Sequence, residues 1–282
     1  MSQMKIFSES SFFKKQRAVL PTPAEVRAIN LKTNNRYASD FHRPTPVKIP
    51  SLGLLVKYGA YINLVEAETQ IMLRERLYGR VPVPAIFGWA QDGKQTFIYM
   101  ELIEGDTLLD RWDSLTEEEL RSICEDLHHL IETIRTLEQD SCDRYVGSLG
   151  KQPLNDWIIE DRPDVRGPFH GANTVQQFHD CCQMEIDNMT PIVFTHNDLL
   201  PPNIIITRGP NPKVAAIIDW AQAGWYPAYW EYCKAVWTEI HRDYFSDAQI
   251  EEWRMKYLPI VLNPVDSESC LYPWIYFVLS KL

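Results

Sequence analysis

The 282-residue chain lacks an excess of basic residues: 28 Lys and Arg stand against 38 Asp and Glu, a formal net charge of −10. Nucleic acid and anionic membrane surfaces reward clustered Lys and Arg, so neither is expected as a partner. The same acidity is compatible with a cationic or amine-bearing ligand, but acidity alone more often just keeps a protein soluble. No apolar run approaches the roughly 20 residues needed to span a bilayer, and the start Met1-Ser2-Gln3-Met4-Lys5 opens no apolar signal stretch. No membrane association and no secretion are expected. Cys124, Cys142, Cys181, Cys182, Cys233 and Cys270 show no paired C-x-x-C spacing, which points away from a disulfide framework or a cysteine metal site and toward free thiols in a reducing compartment.

With 45% apolar and 23% charged residues, the chain has the composition of a globular protein able to bury a sizeable core. Its most informative stretch is Thr195-His196-Asn197-Asp198-Leu199-Leu200-Pro201-Pro202-Asn203, followed by Ile217-Ile218-Asp219-Trp220. This is the acidic hardware of kinase-type phosphoryl transfer, a reaction in which the protein chiefly positions the groups and neutralises charge. Asp198 would orient an attacking hydroxyl and accept its proton. Asn203 and Asp219 offer the hard oxygen donors that suit Mg²⁺ against nucleotide phosphates. The β-branched runs 204–207 and 214–218, separated by Arg208-Gly209-Pro210-Asn211-Pro212-Lys213, read as a hairpin that would bring Asn203 beside Asp219.

These motifs resemble the aminoglycoside phosphotransferase family, in its fungal small-molecule branch. Further matching segments are Leu54-Leu55-Val56-Lys57-Tyr58-Gly59, Val65-Glu66-Ala67-Glu68, Val81-Pro82-Val83-Pro84, Tyr99-Met100-Glu101-Leu102-Ile103-Glu104-Gly105 and Gly167-Pro168-Phe169, with Gly224-Trp225-Tyr226-Pro227-Ala228-Tyr229-Trp230-Glu231-Tyr232 closing the series. The resemblance implies an α+β, bilobal protein-kinase-like fold. Residues 1–102 would form a small β-rich nucleotide-binding lobe and residues 103–282 a larger, mainly helical lobe. It also implies ATP and Mg²⁺ as cofactors and a small-molecule hydroxyl compound as acceptor.

Under that resemblance Lys57 would meet the α- and β-phosphates. Asn63 and Glu66 have the spacing of a capping box, and residues two apart on a helix face nearly opposite ways. Glu66 is therefore expected to cap, and Glu68, which falls where the family's ion-pairing glutamate falls, to hold Lys57. Glu101 and Ile103 would offer a backbone carbonyl and amide to adenine, with no task for their side chains. Glu231 falls where kinase-like folds place a buried acid that binds the catalytic-loop backbone, and His196 is expected to brace that loop.

Two departures from the pattern of protein kinases bear on function. Upstream of Lys57 stands Pro46-Val47-Lys48-Ile49-Pro50-Ser51-Leu52-Gly53 with no G-x-G-x-x-G, so any lid over the phosphates is short or missing. Asp219-Trp220-Ala221 replaces D-F-G, which fits a small-molecule acceptor. An alternative is a catalytically silent relative that binds a metabolite or partner in the same cleft.

Residues 1–40 read as helical and irregular. Leu54–Tyr58 and Phe97–Leu102 are expected strands. A long helix should start at Thr116, which forms a capping box with Glu119, and run through the periodic apolar positions Leu120 to Leu137. Another helix is expected over 174–188, with more beyond Ala228. The segment 147–169, with Asp156, Glu160, Asp161 and Asp164, reads either as the acceptor side of the site or as a solvated acidic loop. The aromatic cluster Trp220, Trp225, Tyr226, Tyr229, Trp230, Tyr232 and Trp237 either packs or forms a ring wall for an amine or a flat ligand. An amine-bearing alcohol would match the charge. Ser280-Lys281-Leu282 matches the tripeptide read by the peroxisomal import receptor, so that receptor is a further expected partner. The location is then peroxisomal, otherwise cytoplasmic, and a hydroxyacyl compound would match the address.

Overall fold

A computed structural model describes residues 3–16, 19–187, 189–238, 240 and 245–280. They divide into two compact units, one of residues 1–75 with 83–104, the other of 76–82 with 105–282. The strip 76–82 goes with the second unit through specific bonds: Arg76 Nη2 donates to the Glu138 carbonyl at 2.9 Å, and the Ile217 amide donates to the Pro82 carbonyl at 3.0 Å.

The first unit is built on a five-stranded antiparallel sheet of β1 (Gln3–Ile6), β2 (Val47–Ile49), β3 (Leu54–Gly59), β4 (Ile86–Asp92) and β5 (Gln95–Glu101), in the order β1-β4-β5-β3-β2. Strand alternation sends side chains to opposite faces. Val56, Tyr58, Phe97 and Tyr99 accordingly share a core with Val26, while Ile98 and Met100 pack with Ala67 and Ile86 in a separate cluster. Val26 lies on α2 (Pro23–Leu31), which follows the short α1 (Ser11–Gln16), and Ala67 on α3 (Leu64–Arg76). The expectation of helix and irregular chain over 1–40 missed β1, a four-residue edge strand that exists by pairing with β4. Nothing in its own composition marks it.

The second unit begins with β6 (Asp106–Thr107) and α4 (Leu108–Arg111), then the long α5 (Glu117–Arg135). Thr116 caps α5 in the expected capping box with Glu119, and Leu120, Ile123, Leu127, Ile131 and Ile134 line its buried face. After β7 (Tyr145–Val146) and β8 (Phe169–His170) comes α6 (Thr174–Cys182), shorter than expected because Gln183 turns left-handed and ends it. β9 (Ile192–Thr195) leads into the catalytic-type loop, and β10 (Ile204–Ile206) and β11 (Val214–Ile217) form the hairpin. β12 (Gly224–Pro227) pairs antiparallel with β9 and precedes α7 (Trp230–Trp237), α8 (Asp247–Glu252), α9 (Leu258–Val261) and α10 (Tyr272–Leu279).

Trp230, Trp274, Tyr226, Phe178 and Phe277 form the centre of this unit's core. Trp220, Trp225 and Tyr229 are buried as well, so these members of the aromatic cluster are packing; Tyr232 and Trp237 are half-buried. All six cysteines are free thiols. No described helix is long and apolar enough to cross a membrane. Lys281 and Leu282, two of the three residues of the import tripeptide, lie outside the described residues.

Candidate active site

The two ends of the β10–β11 hairpin carry the proposed metal ligands. Ile204 pairs with Ile217 and the Ile218 amide donates to the Asn203 carbonyl at 2.9 Å, which makes Asn203 and Asp219 neighbours across the hairpin base. Asp219 itself takes a left-handed backbone (φ 60°, ψ 63°), a conformation that Asp tolerates better than most residues and that ends the strand abruptly. Asn203 Nδ2 donates to the Asp198 carbonyl at 2.8 Å and to its Oδ2 at 3.1 Å. This commits the amide nitrogen to Asp198 and leaves Oδ1 as a ligand atom. An amide oxygen and a carboxylate carried at the base of one hairpin are donor types that suit Mg²⁺ completed by phosphate oxygens and water.

Asp198 is held from three directions. Its amide donates to His196 Nδ1 at 3.1 Å, and that fixes the tautomer: the ring proton sits on Nε2 and is donated to the Ile218 carbonyl at 2.9 Å. His196 thus ties the catalytic-type loop to the strand end at Asp219, and complete burial pushes its pKa below the ordinary value. The preceding residue, Asn197, is left-handed (φ 65°), and its amide donates to Glu231 Oε1 at 2.9 Å. Glu231 does what its position suggested, with Arg135 Nη2 3.6 Å from its other oxygen. Burial raises the pKa of Asp198, the nearby Lys234 ammonium pulls it down, Asp219 pushes it up and the Asn203 hydrogen bond lowers it. A carboxylate with a raised pKa is a better proton acceptor than a solvated aspartate.

In the first unit the expectation for the glutamates is reversed. Lys57 Nζ lies 2.8 Å from Glu66 Oε1, with side chains 11% and 2% exposed, and Glu68 is exposed. The two glutamates do face opposite ways. Asn63 Oδ1 takes the Val65 amide, and burial beside the β3 lysine outweighs a surface cap for Glu66. Glu101, at the end of β5, also uses its side chain: Oε2 accepts from the Ala85 amide at 3.1 Å, alongside the backbone bond from the Glu101 amide to the Ala85 carbonyl. Ile103 lies two residues further on, half-buried in the connecting segment.

Sequence reasoning missed a charged cluster on the far side of Asn197. Asp156 accepts from Asn197 Nδ2 at 2.7 Å, Trp230 Nε1 at 2.9 Å, Lys234 Nζ at 2.7 Å and the Ile158 amide at 2.9 Å. Asp156 is therefore no solvated acid, whereas Glu160, Asp161 and Asp164 are exposed. Lys234 did carry a signal, being a lysine at four residues from Trp230 on the buried stripe of α7.

A hairpin that joins an Asn and an Asp, with a second Asp hydrogen-bonded to that Asn, is the arrangement that kinase-type phosphotransferases use. The model of the phosphotransferase enzyme family matches residues 60–260, and the chain belongs to that family. The comparison with curated proteins gives no significant match. Among solved structures, aminoglycoside phosphotransferase APH(3'')-Id from Streptomyces rimosus is 14% identical, with a TM-score of 0.51 over 91% of this chain and 98% of that one. The same enzyme in complex with ADP and streptomycin gives 15% identity and a TM-score of 0.50 over 92% and 98%. A thermostable mutant of APH(4)-Ia in ternary complex with ADP and hygromycin B gives 13% and 0.50 over 89% and 88%. At such identities the likeness establishes the α+β protein-kinase-like fold.

Proposed function

We propose that the protein is an ATP- and Mg²⁺-dependent kinase that phosphorylates a hydroxyl of a small metabolite. The observation that carries this reading is the set Asp198–Asn203–Asp219, in which the Asn203 amide nitrogen is bonded to Asp198 and the hairpin base makes Asn203 and Asp219 neighbours along the backbone. Asp198 takes the proton of the acceptor hydroxyl as its oxygen bonds to the γ-phosphorus of ATP. The bond from that phosphorus to the β–γ bridging oxygen breaks, and ADP leaves. Asn203 and Asp219 would hold Mg²⁺, which when bound neutralises charge on the phosphates. Lys57, oriented by Glu66, would meet the α- and β-phosphates, and the backbone of Glu101 and Ile103 would take adenine.

For the acceptor, an amine-bearing alcohol agrees with the net charge of −10 and the exposed Glu160 and Asp161. A hydroxyacyl compound agrees with peroxisomal import through Ser280-Lys281-Leu282. Import is tested by fusing a fluorescent protein ahead of the chain and deleting the tripeptide; diffuse fluorescence with the tripeptide intact refutes it.

One observation favours the silent alternative. The β2–β3 connection is a single tight turn, Pro50–Leu52 closed by left-handed Gly53, in place of a glycine-rich lid. Thermal unfolding with Mg-ATP, Mg-ADP or Mg²⁺ alone decides between them. At about a hundred times its dissociation constant a ligand adds roughly 2.7 kcal/mol, a rise of about 5 °C for a chain of this size. A nucleotide-dependent rise supports the kinase and opens a screen of hydroxyl acceptors. No rise at millimolar nucleotide refutes it.

A further inference from the structure

The Asp156–Lys234 pair is almost fully withdrawn from water, with side chains 0% and 2% exposed and 2.7 Å between them. Burying two charges is costly, and such pairs can often be replaced by apolar residues without loss of stability. Stability alone is therefore a poor reason for this pair, and its other bonds suggest what it does. Both carboxylate oxygens of Asp156 are engaged: Oδ1 by Lys234 and the Ile158 amide, Oδ2 by Trp230 and by the side chain of Asn197. Asn197 directly precedes Asp198 and is held in a left-handed backbone conformation. Its main chain is fixed by Glu231 and its side chain by Asp156, so the peptide that carries Asp198 is clamped at two points.

Lys234 extends the network to the turn that follows Asp219. Its ammonium donates to Gln222 Oε1 at 2.6 Å, the same oxygen that accepts from the Trp157 amide at 3.1 Å. Asn155 Nδ2 donates to the Ala221 carbonyl at 2.8 Å. Three segments distant in sequence, 155–158, 196–203 and 219–223, are thus locked together around one buried ion pair.

We propose that Asp156 and Lys234 are positioning residues for phosphoryl transfer: Asp156 orients the catalytic loop through Asn197, and Lys234 balances its charge and ties the loop to the 219–223 turn. The inference rests on the kinase reading above. Small displacements of a reacting group cost large factors in rate, because the bound geometry must be that of near attack. The segment 155–158 and the base then form one rigid piece, while the nucleotide-binding lysine and its glutamate belong to the other unit and are untouched.

The test compares Asp156→Asn, Lys234→Met, the double variant, Lys234→Arg and Asn197→Gly in the full chain. The readouts are unfolding temperature, Mg-ADP affinity by calorimetry, and Mg-ATP turnover with water as acceptor. Each single charge removal is expected to lower the unfolding temperature, since it strands the other charge, and the double variant to recover most of it. Turnover in the double variant is expected to stay down by about tenfold or more, with KM for ATP within about twofold, and Lys234→Arg to restore part of it. Asn197→Gly keeps the left-handed backbone without strain and removes the side chain that reaches Asp156. It is expected to lower kcat in the same way and serves if the double variant fails to fold. Wild-type kcat in the double variant or in Asn197→Gly overturns the proposal while leaving the kinase reading in place. A wild type that neither binds Mg-ADP nor turns over Mg-ATP overturns both.

Discussion

Replacing Glu66 and Glu68 one at a time separates two carboxylates that lie two residues apart and differ only in their surroundings. Glu66 sits 2.8 Å from Lys57 Nζ in a site where neither side chain is more than 11% exposed. In Glu66→Ala the ammonium keeps its burial and loses this counter-charge, the situation in which breaking a buried pair costs about 3–5 kcal/mol. For a chain of this length each kcal/mol lowers the unfolding temperature by about 2 °C, so a fall of roughly 6–10 °C is expected. Glu68 is exposed on the opposite side of α3, and Glu68→Ala should change stability by no more than about 0.5 kcal/mol. Calorimetric unfolding of the two variants measures the difference directly. Lys57→Met with Glu66→Leu, which removes both charges, should recover most of the loss. The nucleotide-dependent shift should also vanish in Glu66→Ala and survive in Glu68→Ala if Lys57 meets the phosphates. Comparable stability in the two single variants, or a larger loss in Glu68→Ala, would refute the assignment.

Asp198→Asn should lower turnover by about 10²–10⁴ and at the same time raise the unfolding temperature at neutral pH. Burial holds the Asp198 pKa above its ordinary value, so the stability this group contributes is full at low pH and lost as pH rises through the folded value; at neutral pH the ionised form costs stability that Asn removes. A lower unfolding temperature contradicts this. His196 is neutral and buried with a lowered pKa, so below about pH 6.5 the unfolded chain binds a proton that the native one does not. Stability is expected to fall from that point by up to about 1.4 kcal/mol per pH unit, and His196→Gln should lack that component; equal slopes in urea titrations at about pH 7, 6 and 5 argue against it. Gly105 has φ 152°, and a Cβ there would lie 2.4 Å from the Ile206 carbonyl oxygen. Gly105→Ala should therefore destabilise by about 1–3 kcal/mol, and an unchanged urea midpoint would show that the chain moves aside freely.

What the sequence determined by itself was local. Asp198, Asn203 and Asp219 lie within one loop and one hairpin, and a β-branched run, a six-residue turn rich in Gly and Pro and a second run suffice to bring the last two together. The long helix after Thr116 was legible for the same reason, because its cap and its apolar period are written in consecutive residues. Tertiary structure decided what depends on burial and on distant partners. Glu66 and Glu68 are chemically identical, and only the packing of α3 beside β3 selects the one that meets Lys57. Edge strand β1 takes its structure from β4, and most of the aromatics after Asp219 turned inward to build a core. Asp156 and Lys234 are 78 residues apart, and a solvated acid and a surface lysine would be written in the same letters. Their pairing, like the clamp on Asn197, follows from the free-energy cost of leaving a buried charge or amide unpartnered, a cost that no spacing rule records.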